Sequence, residues 1–266
     1  MPLIGHPRPQ PGTKVKRGHS LARGLVACWL MNEGGGGLVQ DASGYEHHGV
    51  LTGGAWTPYL GSAGLLFDGS GDLVQGPYKS QLTFVGIGFS IEAWVTFSAV
   101  ASIQAIVGKP FNTTHTSPFF DWLILANGTA FQARVGASAV GTSFTLATNT
   151  LYQLVFTADG VDWRWYVNGV LDSQGNNTAL PTDTNAQGVR IGANADGGEV
   201  LTGGIHLVRL WGRPITSREV SRLWTDPYEM FRTPPLKQIA TAAAAGRLRY
   251  QNPLDGLGNY YRGGAS

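Results

Sequence analysis

The chain has 266 residues, 42% of them apolar and only 14% charged, with 38 glycines and a formal net charge of +2. That is enough apolar material for a sizeable core, and the glycine content with sparse charge points to many turns and few long helices. The single cysteine, Cys28, excludes an internal disulfide and a cysteine-based metal site. No apolar run approaches the roughly 18 residues of a membrane-spanning helix.

The small net charge hides an asymmetry. Residues 1–23 hold Arg8, Lys14, Lys16, Arg17 and Arg23 with no acid, and residues 232–266 hold five basic residues against Asp255, so residues 24–231 carry −7. Two basic segments therefore flank an acidic body, a pattern of solvated linkers or of docking onto an acidic partner. No apolar stretch before Leu25 resembles a secretory leader, so the expected route out of a cell is within a particle released by lysis. The basic segments lack aromatics at useful spacing apart from Tyr250, Tyr260 and Tyr261, and nucleic acid is not the expected partner.

In chain order, the four prolines at 2, 7, 9 and 11 make residues 1–23 an extended arm. Leu25–Met31 reads as the first strand, followed by the glycine turn 32–37 and a polar loop from Asp41 to Gly49. Short strands at 65–67 and 73–74 flank the loop Asp68–Asp72. Phe89–Phe97 alternates cleanly, with Phe89, Ile91, Ala93, Val95 and Phe97 on one face, and is expected to be covered by core on that side. Strands follow at 105–108, 121–125, 130–135 and 143–146.

Leu151–Leu171 reads as two strands with reversals at Asp159-Gly160 and Asn168-Gly169, dipeptides suited to the positive φ of a type I′ turn. Trp163, Trp165 and Val167 share a face opposite Arg164 and Tyr166. Strands at 189–193 and 204–211 complete a series typical of an all-β sandwich. One helix is expected near 216–224: Thr216 and Glu219 match a capping box, with Ile215 and Val220 at the staple positions. The C-terminal arm runs over 232–266, leaving 24–231 as the body.

The ordered series GLVACWLMNEGGGG, DASGYEHHGVL, LLFDGSGDLV, FSIEAWVTF, LYQLVFTADG, WRWYVNGVL, VRIGAN and GGIHLVRLWGRPITSREVSRLW resembles concanavalin A-like lectin/glucanase domains of the laminin-G type over roughly residues 24–226. The resemblance implies a two-sheet antiparallel jelly roll. The ending LWTDPYEMFRTPP is similar to versions of this domain in bacteriophage structural proteins. Glucanases of the superfamily carry a Glu-x-Asp-x-x-Glu strand, because retaining hydrolysis uses two carboxylates about 5–5.5 Å apart. That motif is missing here, and the acids on strands are isolated, as with Glu92, so no enzyme activity is expected.

Many relatives hold a structural calcium, a hard cation that takes oxygen ligands. Asp41, Asp68 and Asp72 are the candidates, with ordinary turn capping as the competing role. Where relatives often place an acidic pair after the isoleucine of GGI, this chain has His206-Leu207. A sugar ligand would need exposed aromatics, for which Trp56, Tyr59, Tyr78, Trp122 and Trp163 are the candidates, although most aromatics in such a sandwich pack in the core.

The function expected from the sequence is a non-catalytic decoration protein on a virion surface. It would be held to capsid or tail subunits and to copies of itself by Arg8, Lys14, Lys16, Arg17, Arg247 and Arg249. The alternative is an extracellular module that binds cell-surface glycans.

Overall fold

The structure is a computed structural model, and it describes residues 6–233 apart from 60–61, 101, 113–119, 137, 177–178, 183–184 and 195–196. Arg247 and Arg249, with the rest of 234–266, lie outside the described residues. The early strands are β1 (Leu25–Trp29), β2 (Leu38–Val39), β3 (Gly49–Thr52), β4 (Ala55–Tyr59), β5 (Ser62–Asp68) and β6 (Leu73–Gln75). The long central strands are β7 (Phe89–Phe97), β8 (Ile103–Pro110), β9 (Phe120–Asn127) and β10 (Ala130–Val135), followed by the short β11 (Ser138–Gly141). Then come β12 (Tyr152–Ala158), β13 (Asp162–Val167), β14 (Val170–Asn176), β15 (Arg190–Ile191), β16 (Thr202–Trp211) and the helix α1 (Ser217–Thr225).

The strands form two antiparallel sheets, as the jelly-roll expectation requires. One runs β14-β13-β12-β7-β16-β5-β4, and the other β11-β10-β9-β8-β15-β6-β3-β2. β16 has two partners along one side: its first half pairs with β5 and its second half with β1, while β7 lies along the other side. The main core fills the space between the sheets, with Phe89, Ile91, Val95 and Phe97 of β7 facing Trp122, Ile124 and Phe131.

The outer face of the first sheet is not left to solvent. A second apolar cluster covers it, made of Trp94, Val155, Tyr166, Leu207 and Trp211 on the strands. Val15 and Leu21 of the N-terminal segment, Val220 and Leu223 of α1, and Tyr228, Met230 and Phe231 pack over them. All nine residues of β7 are therefore buried, where the alternation suggested one covered side.

Burying the second face requires its polar groups to be paired. Glu92 and Arg209, both wholly enclosed, form an ion pair at 2.9 Å. Glu92 also accepts from Trp94 Nε1 and Gln153 Nε2, and Arg209 donates to the Pro227 carbonyl. Although burial lowers the Arg209 pKa, Glu92 and Cys28 together more than offset this and hold it above its ordinary value. Glu92 is thus a structural group, sealed from any substrate.

Each buried indole N–H reaches an acceptor, as burial of tryptophan demands. Trp29 donates to His47 O, Trp122 to Leu82 O, Trp165 to Val140 O and Trp211 to Leu21 O. The α1 capping box forms as expected, with Thr216 and Glu219 exchanging hydrogen bonds. One expected strand is absent. Residues 143–146 leave the sheet because the Ser143 N–H is taken by the Asp172 and Ser173 side chains, and Leu146 N–H reaches Thr129 O. Pairing with β10 falls instead to β11.

Candidate binding groove

The hairpin β13–β14 lies at the edge of the first sheet. Its turn, Asn168-Gly169, has φ of 52° and 80°, so both central residues are positive as a type I′ reversal requires. Asn168 is further held by Gln153, whose N–H donates to Asn168 Oδ1 and whose carbonyl accepts from Asn168 N–H.

The reversal preceding β13 is built differently from the expected type I′ turn. Only Gly160 is positive, at 91°, and Asp159 caps the three-residue connection 159–161. Its Oδ1 accepts from Asp162 N–H at 2.7 Å and from Val161 N–H at 2.9 Å. These backbone donors, Asp162 first, hold the Asp159 carboxyl below its ordinary pKa.

From the Asn-Gly turn the register follows directly. Val167 faces Val170, and after a bulge between Trp165 and Tyr166, Arg164 faces Gln174, Trp163 faces Gly175 and Asp162 faces Asn176. These last six residues line a groove of about 350 Å³. Directly opposed residues share a face, so Asp162, Arg164, Gln174 and Asn176 form one polar surface. Trp163 points the other way, half-buried against the main core. Its ring lies across Gly175, where a Cβ would come within 2.7–2.8 Å of three indole atoms.

Chemically, the groove offers a carboxylate acceptor, a guanidinium donor and two amides that can donate and accept. Arg164 and Asp162 are 3.0 Å apart, with side chains 35% and 43% exposed, a pairing that adds little stability and stays available to a ligand. Such a surface suits a polyhydroxylated ligand better than an apolar one. Gln174 and Asn176 are absent from the sequence-based candidates because DSQGN lacks the β-branched and aromatic residues that mark a strand. The Asn-Gly turn was the signal that could have found them, since it obliges a returning strand.

The other aromatic candidates do not converge on this groove. Trp122 is a correction: it is wholly buried, tilted against Phe84 at 5.5 Å, and no sugar can reach it. Trp56 is half-buried on β4 and donates to Gly36 O. Tyr78 is 40% exposed, with Lys109 Nζ 6.0 Å from its ring centre. Tyr59 ends β4, and its side chain lies outside the described residues.

The calcium candidates accept hydrogen bonds from backbone donors. Asp41 is enclosed and accepts from Cys28 N–H, Ser43 N–H, Ser43 Oγ and His47 N–H. Asp72 accepts from Gly54 and Asp68 N–H, and Asp68 from Ser70 N–H, so these carboxylates brace their own loops. Among the described residues no three acidic, histidine or cysteine side chains gather as a metal site. His206 sits at a bulge of β16 and fills space left by Gly64 and Gly204, whose added Cβ atoms would lie 2.8 and 3.2 Å from its ring.

The N-terminal basic residues lie on the sandwich itself. Arg8 donates to the Leu30 and His206 carbonyls, Lys14 to Asp41 O and Arg17 to Gly44 O, while the Lys16 N–H bonds Met230 O. The body therefore takes at least one side-chain donor from each of Arg8, Lys14 and Arg17, whereas Lys16 is held through its backbone alone.

A sequence profile of the concanavalin A-like lectin/glucanases superfamily, laminin-G type, matches residues 68–221. The chain belongs to that superfamily. Among solved structures, Trypanosoma rangeli sialidase is similar at 17% identity and a TM-score of 0.60, over 80% of this chain and 34% of the sialidase. The binding domain of Paraclostridial Mosquitocidal Protein 1 is similar at 16% identity and a TM-score of 0.61, over 77% of this chain and 52% of that one. Botulinum neurotoxin type C, in a structure concerned with cell entry dependent upon interaction with two ganglioside molecules, gives 11% identity and a TM-score of 0.59, over 79% of this chain and 52% of the toxin chain. The chain spans between a third and about half of these proteins' lengths, and at such identities the likeness is one of fold. No curated protein matches the sequence.

Proposed function

We propose that this chain is a non-catalytic glycan-binding module whose ligand lies along the β13–β14 edge. The observation that carries this reading is the groove of about 350 Å³ with Asp162, Arg164, Gln174 and Asn176 on one face. Paired acceptors and donors at the spacing of neighbouring strands can satisfy adjacent hydroxyls of an extended sugar chain. The superfamily's lectin members and the toxin's reported ganglioside interaction support the choice of ligand class. A glycan array probed with the wild type and with Arg164→Ala and Gln174→Ala tests it. Hits that both variants lose, at unchanged melting temperature, are the expected result. An array without hits, or hits that neither variant affects, would defeat the proposal.

A second reading concerns where the module is displayed, and it is favoured by residues 234–266. They carry Lys237, Arg247, Arg249 and Arg262 against a single acid, Asp255. We place the attachment function there, onto capsid or tail subunits of a virion, in keeping with the phage-like ending LWTDPYEMFRTPP. Since Arg8 and Lys14 donate to the sandwich, we assign attachment to the C-terminal basic segment. Deleting residues 236–266 should abolish attachment to the particle while leaving melting unchanged. Full occupancy by the truncated chain would refute this part.

A further inference from the structure

A second pocket lies away from the groove, where the N-terminal segment crosses the loop between β2 and β3. Two backbone bonds position the segment: Val15 N–H to Ala42 O at 2.9 Å, and Lys16 N–H to Met230 O at 2.8 Å. Between segment and loop is a cavity of about 190 Å³, walled by Val15, Ala22 and Leu25 and carrying Arg17, Arg23 and Tyr45 at its mouth.

The electrostatics of this pocket are one-sided. Neither Arg17 nor Arg23 has an ion-pair partner among the described residues, whereas nearby Arg213 is neutralised by Glu219 at 2.6 Å. Ser43 also lines the pocket, but its Oγ is committed to the enclosed Asp41 carboxylate at 2.6 Å. No acidic side chain lines the cavity.

Arg17 is also pre-oriented. Its guanidinium lies 4.6 Å from the Tyr45 ring centre and donates to Gly44 O at 2.9 Å. Tyr45 is in turn stacked on His47 at 5.8 Å, and His47 is buried. With one Nη2 N–H on Gly44 O, a guanidinium lying over an aromatic face still has in-plane N–H groups to offer a planar acceptor, and less rotamer freedom is lost on binding. Gly44, at φ +89°, gives the room: a Cβ there would come within 3.2 Å of Arg17.

We infer that this pocket binds the carboxylate of an acidic monosaccharide unit, with Arg17 as bidentate donor and Arg23 as the second cation. The walls of Val15, Ala22 and Leu25 would meet the C–H face of the ring. The choice of a sugar as carrier rests on the glycan-binding reading above; the two sites are nevertheless separable by mutation.

The test is titration of the full chain with glucuronate, glucose, acetate and inorganic phosphate, followed by calorimetry or amide chemical shifts. Glucuronate should bind in a salt-sensitive manner and glucose should not. Arg23→Gln and Arg17→Gln should each weaken binding at least about tenfold, and Arg17→Lys nearly as much, because lysine lacks the fork. Gln174→Ala should leave glucuronate binding unchanged. Arg23 is exposed, so its variant reports on binding even if Arg17→Gln perturbs folding. Absence of glucuronate binding, or phosphate or acetate binding as tightly as glucuronate, would overturn the inference. Retained glucuronate binding together with an empty glycan array would instead sink only the groove.

Discussion

Replacing Gly169 by valine probes the turn that sets the register of the groove. Gly169 sits at φ +80°, a region where an L side chain costs about 1–2 kcal/mol and a β-branched one more. A Cβ there would also come within 2.7–2.9 Å of Trp224, from its Cβ to the indole ring. Trp224 cannot swing aside freely, since its ring is stacked on Trp94 at 5.3 Å and 13°. Overpacking of this kind costs about 1–3 kcal/mol. Together these give a destabilisation of about 2–5 kcal/mol, or on the order of 10 °C in melting temperature for a domain of this size.

Gly128 provides the comparison, because it has φ +59° with nothing within 4 Å of an added Cβ. Gly128→Val should therefore suffer the backbone strain without the clash. Calorimetric melting of both variants is the assay. A Gly169→Val protein that melts with the wild type would show the turn to be misread. One that melts with Gly128→Val would show that Trp224 does not press on it.

Four further outcomes are expected. Glu92→Gln removes the partner of the enclosed Arg209 and should cost about 3–5 kcal/mol by urea denaturation, whereas Glu92→Leu with Arg209→Met should be no worse than the single change. Asp159 and Glu219 should both contribute to an acid limb of stability. In Glu219, burial pushes the carboxyl pKa up, but Arg213 and Thr216 together bring it below its ordinary value, and Asp159 is lowered by its loop donors. Their stabilisation is present above the unfolded carboxyl values of about 4 and is lost as pH falls through the folded ones, so Asp159→Asn with Glu219→Gln should flatten the fall in melting temperature below about pH 4. Cys28 is enclosed and its thiol is pushed up to about 12, mainly by burial. It should resist alkylation at pH 8 in the native protein and react on unfolding; native labelling would contradict that placement. Thr216→Ala should cost about 1 kcal/mol through loss of the α1 cap.

Local rules made most strands legible. Phe89–Phe97 has the bounds its alternation suggested, and the capping box marked α1. The second face of β7 was opaque because its explanation is remote. Glu92 and Trp94 look solvent-facing until Arg209, 117 residues away, supplies the charge partner and the N-terminal segment, α1 and residues 228–231 supply the cover. β14 failed for a local reason: Asp172–Asn176 lacks the β-branched and aromatic residues that mark strands, and only pairing with β13 orders it.

The groove shared that obscurity. Trp163 stood out as an aromatic, but its ring turns toward the core, and the polar partners lie on the strand that propensity concealed. The pocket at Arg17 was hidden in another way, since the basic arm gave no sign that Tyr45 would lie beneath one of its guanidiniums.

The glycan-binding account rests on what occupies the β13–β14 edge. An amide-resolved NMR titration of the isotope-labelled chain with the strongest neutral oligosaccharide from the array would read this directly. The account predicts shifts concentrated at Asp162–Arg164 and Gln174–Asn176, lost in Gln174→Ala. Shifts confined to another face, or none at saturating sugar, would contradict it.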